Sequence, residues 1–139
     1  MKTTKTLLII IFSGFLLSMK CVKGYECNSI FYFRNGTDKP IYMLVTYDYP
    51  DTSMNFQNPR YERYTHKIAA NTKMEIRTNN CIENIILNSP GKKMSMFVFD
   101  AKLVDTTPWP QIKQNYQVLK RFDYTLEEME SSDWNIDFQ

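Results

Sequence analysis

The sequence predicts a mainly β chain, an antiparallel β-sandwich with two short helices inserted in its last third. Three observations predict it. Several segments alternate apolar and polar residues with a period of two, as in Thr72 to Thr78. Clusters of Gly, Pro, Asn, Asp and Ser punctuate them. No long βα repeat announces a doubly wound parallel sheet.

The chain of 139 residues opens on Lys2 and Lys5, followed by the apolar run Leu7 to Leu17. A membrane span needs ~20 apolar residues. The shorter run fits a signal-peptide h-region. Residues 1–24 are therefore expected to be a signal peptide cut after Gly24. The alternative is a signal of residues 1–20 with Cys21 as lipid acceptor, although Lys20 stands where such signals carry a small residue. Residues 25–139 then form one β-rich domain, expected in the periplasm, on the outer-membrane surface or outside the cell. The membrane is met only through a lipid at Cys21.

Removing the first 24 residues takes away four lysines and no acid. Thirteen basic side chains then face fifteen acidic ones, so the formal charge of +2 falls to −2. A nucleic-acid partner would need a basic stripe, and none is expected. The cut also leaves Cys27 and Cys81 as an even pair, expected to be disulfide-bonded in an oxidising compartment.

Asn28 to Arg34 is aromatic and β-favouring. The turn formers Asn35 to Pro40 follow, then Ile41 to Tyr49. Two such strands around one turn predict a hairpin. Asn35-Gly36-Thr37 also matches a glycosylation sequon. Tyr49 to Ser53 ends the second strand, because proline cannot donate to a ladder. Met54 to Thr65 reads as a long polar surface loop. Thr72 to Thr78 is a half-exposed strand. Cys81 to Leu87 is open between strand and short helix. Asn88 to Gly91 is a turn, and Lys93 to Asp100 is the strongest core strand. Thr107-Pro108 predicts a helix start, with the helix reaching about Asn115. Tyr116 to Asp123 is a further strand. Thr125 to Glu128 is a capping box, and Trp134, Ile136 and Phe138 alternate in a closing strand. The total is six or seven strands.

Chemistry-bearing patterns are sparse. His66 is the single histidine, and its neighbours match no nucleophile or base motif. One histidine and two paired cysteines do not make a zinc site. Asp48, Asp51 and Ser53 lack the spacing of a calcium loop. Gly36 and Gly91 sit in turns, so no glycine loop cradles a phosphate. No catalytic, metal or cofactor residue is expected. Carboxylates such as Asp100, Asp105 and Asp123 offer paired-acid chemistry only if two of them face each other. Aromatics are the compositional excess, eighteen of twenty lying beyond residue 24. Tyr47, Tyr49, Phe56, Tyr61 and Tyr64 gather around the long loop. Exposed there, they would stack on a sugar or anchor a protein partner.

A further pattern runs through Ile41-Tyr42, Tyr49 to Ser53, Phe97 to Ala101, Pro108-Trp109, Tyr116 to Asp123, Thr125 to Glu128 and Trp134 to Ile136. As a set these pieces resemble a family of small exported proteins of gut-type Gram-negative anaerobes, mostly uncharacterised or described as lipoproteins. Phe122 stands where that family usually has tyrosine, Tyr124 where it has leucine, and Gln139 where it often ends in proline. The resemblance implies an exported protein and brings no catalytic residue with it. The leading expectation is a non-enzymatic module that binds a protein or a glycan, without a cofactor. The alternatives are a polysaccharide hydrolase using paired carboxylates and a structural accessory subunit of an envelope assembly.

Overall fold

The structure, a computed structural model, describes residues 27–139. The expected signal peptide, the cut after Gly24 and the lipid acceptor Cys21 lie outside these residues. Seven strands form two sheets, so the described chain is mainly β. The strands are β1 (Ile30–Asn35), β2 (Ile41–Thr46), β3 (Thr65–Ile68), β4 (Thr72–Arg77), β5 (Met94–Asp100), β6 (Lys120–Tyr124) and β7 (Asn135–Phe138). Four short helices join them: α1 (Ile82–Asn88), α2 (Ala101–Thr106), α3 (Trp109–Gln114) and α4 (Leu126–Ser131).

One sheet has the order β4-β1-β7, the other β3-β2-β5-β6. In the first, β1 is antiparallel to β4 and parallel to β7. Every pair in the second is antiparallel. Alternation explains which faces are covered. Phe31 and Phe33 of β1 are fully buried, while Arg34 is exposed. They join Ile41, Met43 and Val45 of β2, Met94, Met96 and Val98 of β5, and Ile136 of β7 in a single apolar cluster that draws on both sheets. Tyr42, Leu44, Phe97 and Phe99 belong instead to a second cluster with Met54, Val104 and Ile112. β2 is therefore buried at every position. Each fully buried large apolar side chain contributes roughly 1.5–3 kcal/mol relative to exposure.

The expected β1–β2 hairpin does not form; the two strands lie in different sheets. Asn35 supplies the reason. Its side chain is buried, and its Nδ2 donates to the carbonyls of Lys39, Ile68 and Ala69 at 2.8, 3.4 and 3.0 Å. Its Oδ1 accepts from the Thr37 N–H and hydroxyl at 3.1 and 2.8 Å. The connection after β1 is thereby drawn onto the corner between β3 and β4, where Asn71 N–H also donates to Thr37 O. A buried, fully engaged amide has no room for a sugar, so the sequon is a structural turn.

The helices are not confined to the last third, because the segment left open between strand and helix folds as α1, Ile82–Asn88. Glu83 in its first turn is buried, and both its carboxylate oxygens accept from Asn28 N–H, at 2.9 and 3.1 Å. Ile82 N–H donates to Asn28 O at 2.8 Å. These bonds seat the Cys27–Cys81 disulfide, whose Cα atoms are 5.1 Å apart. Helix α2 is new to the sequence reading. Asp100 caps it by accepting from Leu103 N–H at 2.9 Å. Thr107 does not open the next helix as expected. Its N–H donates to Leu103 O and closes α2, so α3 begins at Trp109. After α3 the chain turns back through Tyr116 at φ +45°, which delays β6 to Lys120. The Thr125 capping box forms with both bonds present.

The long segment between β2 and β3 is less exposed than its polarity suggests. Met54 is buried, and Phe56 packs 5.1 Å from Phe97 and 5.8 Å from Trp109 between ring centroids. Arg121 braces the segment by donating to Asp51 O at 2.7 Å and to both oxygens of Asp123. Strand β3 begins before that loop was expected to have ended, with His66 opposite Met43.

Candidate binding groove

The two sheets and α1 meet around a concave region of three adjoining depressions. The main groove holds about 510 Å³. Phe31, Val45, Ile76 and Ile85 give it an apolar base, and Arg63, His66, Arg77, Asn79 and Asn80 supply its polar groups. A second depression of about 690 Å³ lies beside the disulfide and adds Asn84 and Asn88 from α1. A third, of about 260 Å³, opens toward the long loop. Tyr47 borders all three. Tyr64 borders two of them.

Local structure positions these groups. Tyr47 follows the last residue of β2, so its ring packs on the edge of the first apolar cluster. Burial, then the neighbouring Tyr64 hydroxyl, pushes its phenol up to about 12. It is therefore a permanent O–H donor at neutral pH. Tyr64 is held by its backbone, whose carbonyl accepts from Val45 N–H at 3.2 Å, while its ring is 60% exposed. His66 sits on β3 and is half-buried, and that burial holds its imidazole below the ordinary 6.5. Asn79 and Asn80 lie between β4 and the disulfide. Thr78 Oγ1 fixes that bend by donating to Asn80 O at 2.6 Å.

The five aromatics singled out in the sequence divide. Tyr47 and Tyr64 line the groove together. Phe56 touches the small depression but belongs mainly to the second apolar cluster. Tyr49 lies under Lys93 and Arg121, 4.8 and 5.7 Å from its ring centroid. Tyr61 is 73% exposed, with Arg60 against its ring. Among the described residues the other exposed large apolar side chains, Leu87, Tyr116 and Leu119, sit on α1 and on the approach to β6.

The carboxylates singled out for paired-acid chemistry, Asp100, Asp105 and Asp123, are occupied by structure. Asp100 caps α2. Asp105 accepts from Lys67 Nζ at 2.7 Å and from the Tyr42 hydroxyl at 2.9 Å. The Lys67 bond, then the Tyr42 bond, holds it below the usual carboxylate range, and Lys67 is raised in turn by Asp105. Asp123 binds Ser95 and Arg121. Asp51 accepts from the N–H groups of Ser53 and Asn55, which closes a turn. Among the described residues no group of three His, Cys, Asp or Glu side chains is placed to hold a metal ion.

Sequence reasoning missed Arg63, Arg77, Asn79, Asn80 and Asn84 as neighbours of the tyrosines. The one local signal was the Asn-Asn pair before Cys81. Its meaning depends on the β3–β4 corner and on the seat of α1, both of which are long-range. In comparison with known proteins, no family model, no curated protein and no solved structure matches this chain significantly.

Proposed function

We propose that this chain is an exported, non-catalytic binding module that takes a glycan in the groove around Tyr47 and Tyr64. The observation that carries this reading is the meeting of two tyrosines with the Asn79 and Asn80 amides over an apolar base. Sugars present apolar ring faces and a belt of hydroxyls. Aromatic rings suit the faces, and side-chain amides suit the hydroxyls. The disulfide is consistent with an oxidising, exported setting. In the same reading the two sheets pack as a sandwich around their shared apolar cluster, and the domain is released by a cut after Gly24 or tethered by a lipid at Cys21.

A glycan array followed by calorimetry tests the binding. Tyr64→Ala should weaken binding at least tenfold, about 1.4 kcal/mol. An empty array would overturn the reading. Intact mass of the mature chain from soluble and membrane fractions separates the cut from the lipid.

One observation favours the hydrolase reading. Asp48 and Glu62 border the same small depression as Tyr47 and Tyr64. Release of reducing sugar that disappears in Asp48→Asn or Glu62→Gln would put hydrolysis ahead. Binding without turnover would leave the binding module standing.

A further inference from the structure

The main groove is lopsided in charge. Arg63 and Arg77 line it, and among the described residues no carboxylate does. This occurs in a chain whose acids outnumber its bases beyond residue 24. Arg63 lies against the Tyr64 ring, 5.9 Å from its centroid. Arg77 projects from the end of β4 with its side chain 71% exposed.

We infer that the groove selects acidic glycans, with carboxylate or sulfate groups meeting Arg63 and Arg77 while a sugar ring lies against Tyr64. The inference rests on the glycan-binding reading above. A guanidinium offers a planar fork of donors that matches an oxyanion in two places at once. Arg77 now pairs with Glu75, its neighbour along β4. Exposed pairs of this type are weakly held, so a ligand oxyanion can take the place of Glu75. Glu62 borders the adjoining depression toward the long loop, and Asp48 borders both that one and the depression beside the disulfide. They repel an anion from those two depressions and leave it to the arginines of the main groove.

The test is titration calorimetry on the mature protein, led by an array of neutral and acidic glycans. The defined probes are tetragalacturonic acid, a heparin tetrasaccharide and neutral maltotetraose. Wild type is compared with Arg63→Gln/Arg77→Gln, Glu75→Gln and Tyr64→Ala, each shown to be folded by circular dichroism. The expected result is that an acidic probe binds at least tenfold more tightly than the neutral one. The double arginine variant should abolish that advantage, and Glu75→Gln should increase it. The two acidic probes show whether carboxylate or sulfate is preferred. Equal affinity for acidic and neutral probes, lost in Tyr64→Ala, would overturn the acidic preference and leave glycan binding intact. Acidic binding untouched by the double variant would also overturn the preference. Binding to nothing on the array would overturn both readings.

Discussion

Replacing Asn35 by aspartate tests the corner that separates the two sheets. The side chain keeps its size, so no cavity opens, but its two N–H donors disappear. They serve three carbonyls, at 2.8, 3.0 and 3.4 Å. A net hydrogen bond is worth about 0.5–1.5 kcal/mol, and each buried acceptor left unpaired costs about 1–3 kcal/mol. Two lost donors therefore predict a loss of about 3–5 kcal/mol when the introduced carboxyl is ionised. Facing carbonyl oxygens in a buried site, that carboxyl is raised above the ordinary value of about 3.9. The unfolded chain then releases its proton first as pH rises. Destabilisation is therefore smallest near pH 4 and grows through the window between the ordinary and the raised value. A protonated carboxyl restores one donor and limits the loss to about 1–2 kcal/mol. Urea unfolding followed by tryptophan fluorescence at about pH 4 and about pH 7.5 measures both. A loss under about 1 kcal/mol at the higher pH, or an equal loss at both, would refute the reasoning.

Three further outcomes are expected. Cys27→Ser/Cys81→Ser releases a link spanning 54 residues; the chain-entropy model gives a loss of about 4 kcal/mol, a fall in Tm on the order of 10–20 °C. Scanning calorimetry checks it, and a fall of only a few degrees would show that the Glu83–Asn28 seat alone carries the N-terminal segment. Because burial lowers His66 in the folded state, the unfolded chain binds its proton first, so stability falls as pH drops from about 6.5 through the lowered value. His66→Gln should flatten that part of the stability profile, and an unchanged slope in urea midpoints would assign the titration elsewhere. Gly91 has φ +65°, and a Cβ there would stand 2.6 Å from Tyr49 Cδ1. Gly91→Ala should cost about 1–3 kcal/mol, and a neutral effect by thermal melting would mean that the ring between Lys93 and Arg121 gives way.

What was legible in the sequence was local. Period-two alternation announced β4, the apolar run from Lys93 to Asp100 announced β5, and Thr125 with Glu128 announced α4, because those signals are written within a few residues. The cysteine pair was legible because only two cysteines remain beyond residue 24. Pairing partners were not legible. Asn35 to Pro40 reads as a hairpin turn on composition, and only the buried contacts of Asn35 with Ile68 and Ala69, more than thirty residues away, turn it into a crossing between sheets. The groove was half legible for the same reason. Tyr47 and Tyr64 stood out as aromatics near a loop, but Phe56 looked equivalent to them until Phe97 and Trp109 absorbed it. Arg77, Asn79 and Asn80 gained meaning only once β4 had been placed beside β1.

The position of β1 between β4 and β7 has a consequence in time. Its antiparallel neighbour arrives about forty residues later, but its parallel neighbour pairs Tyr32 with Asn135, almost at the far end of the chain. Such distant pairings carry a large loop-closure entropy and form slowly. Until Asn135–Phe138 has docked, β1 presents an open edge next to Phe31 and Phe33. The first strand of the domain is thus completed by its last, and a chain interrupted anywhere before that point exposes a sticky edge that chaperones and proteases can read.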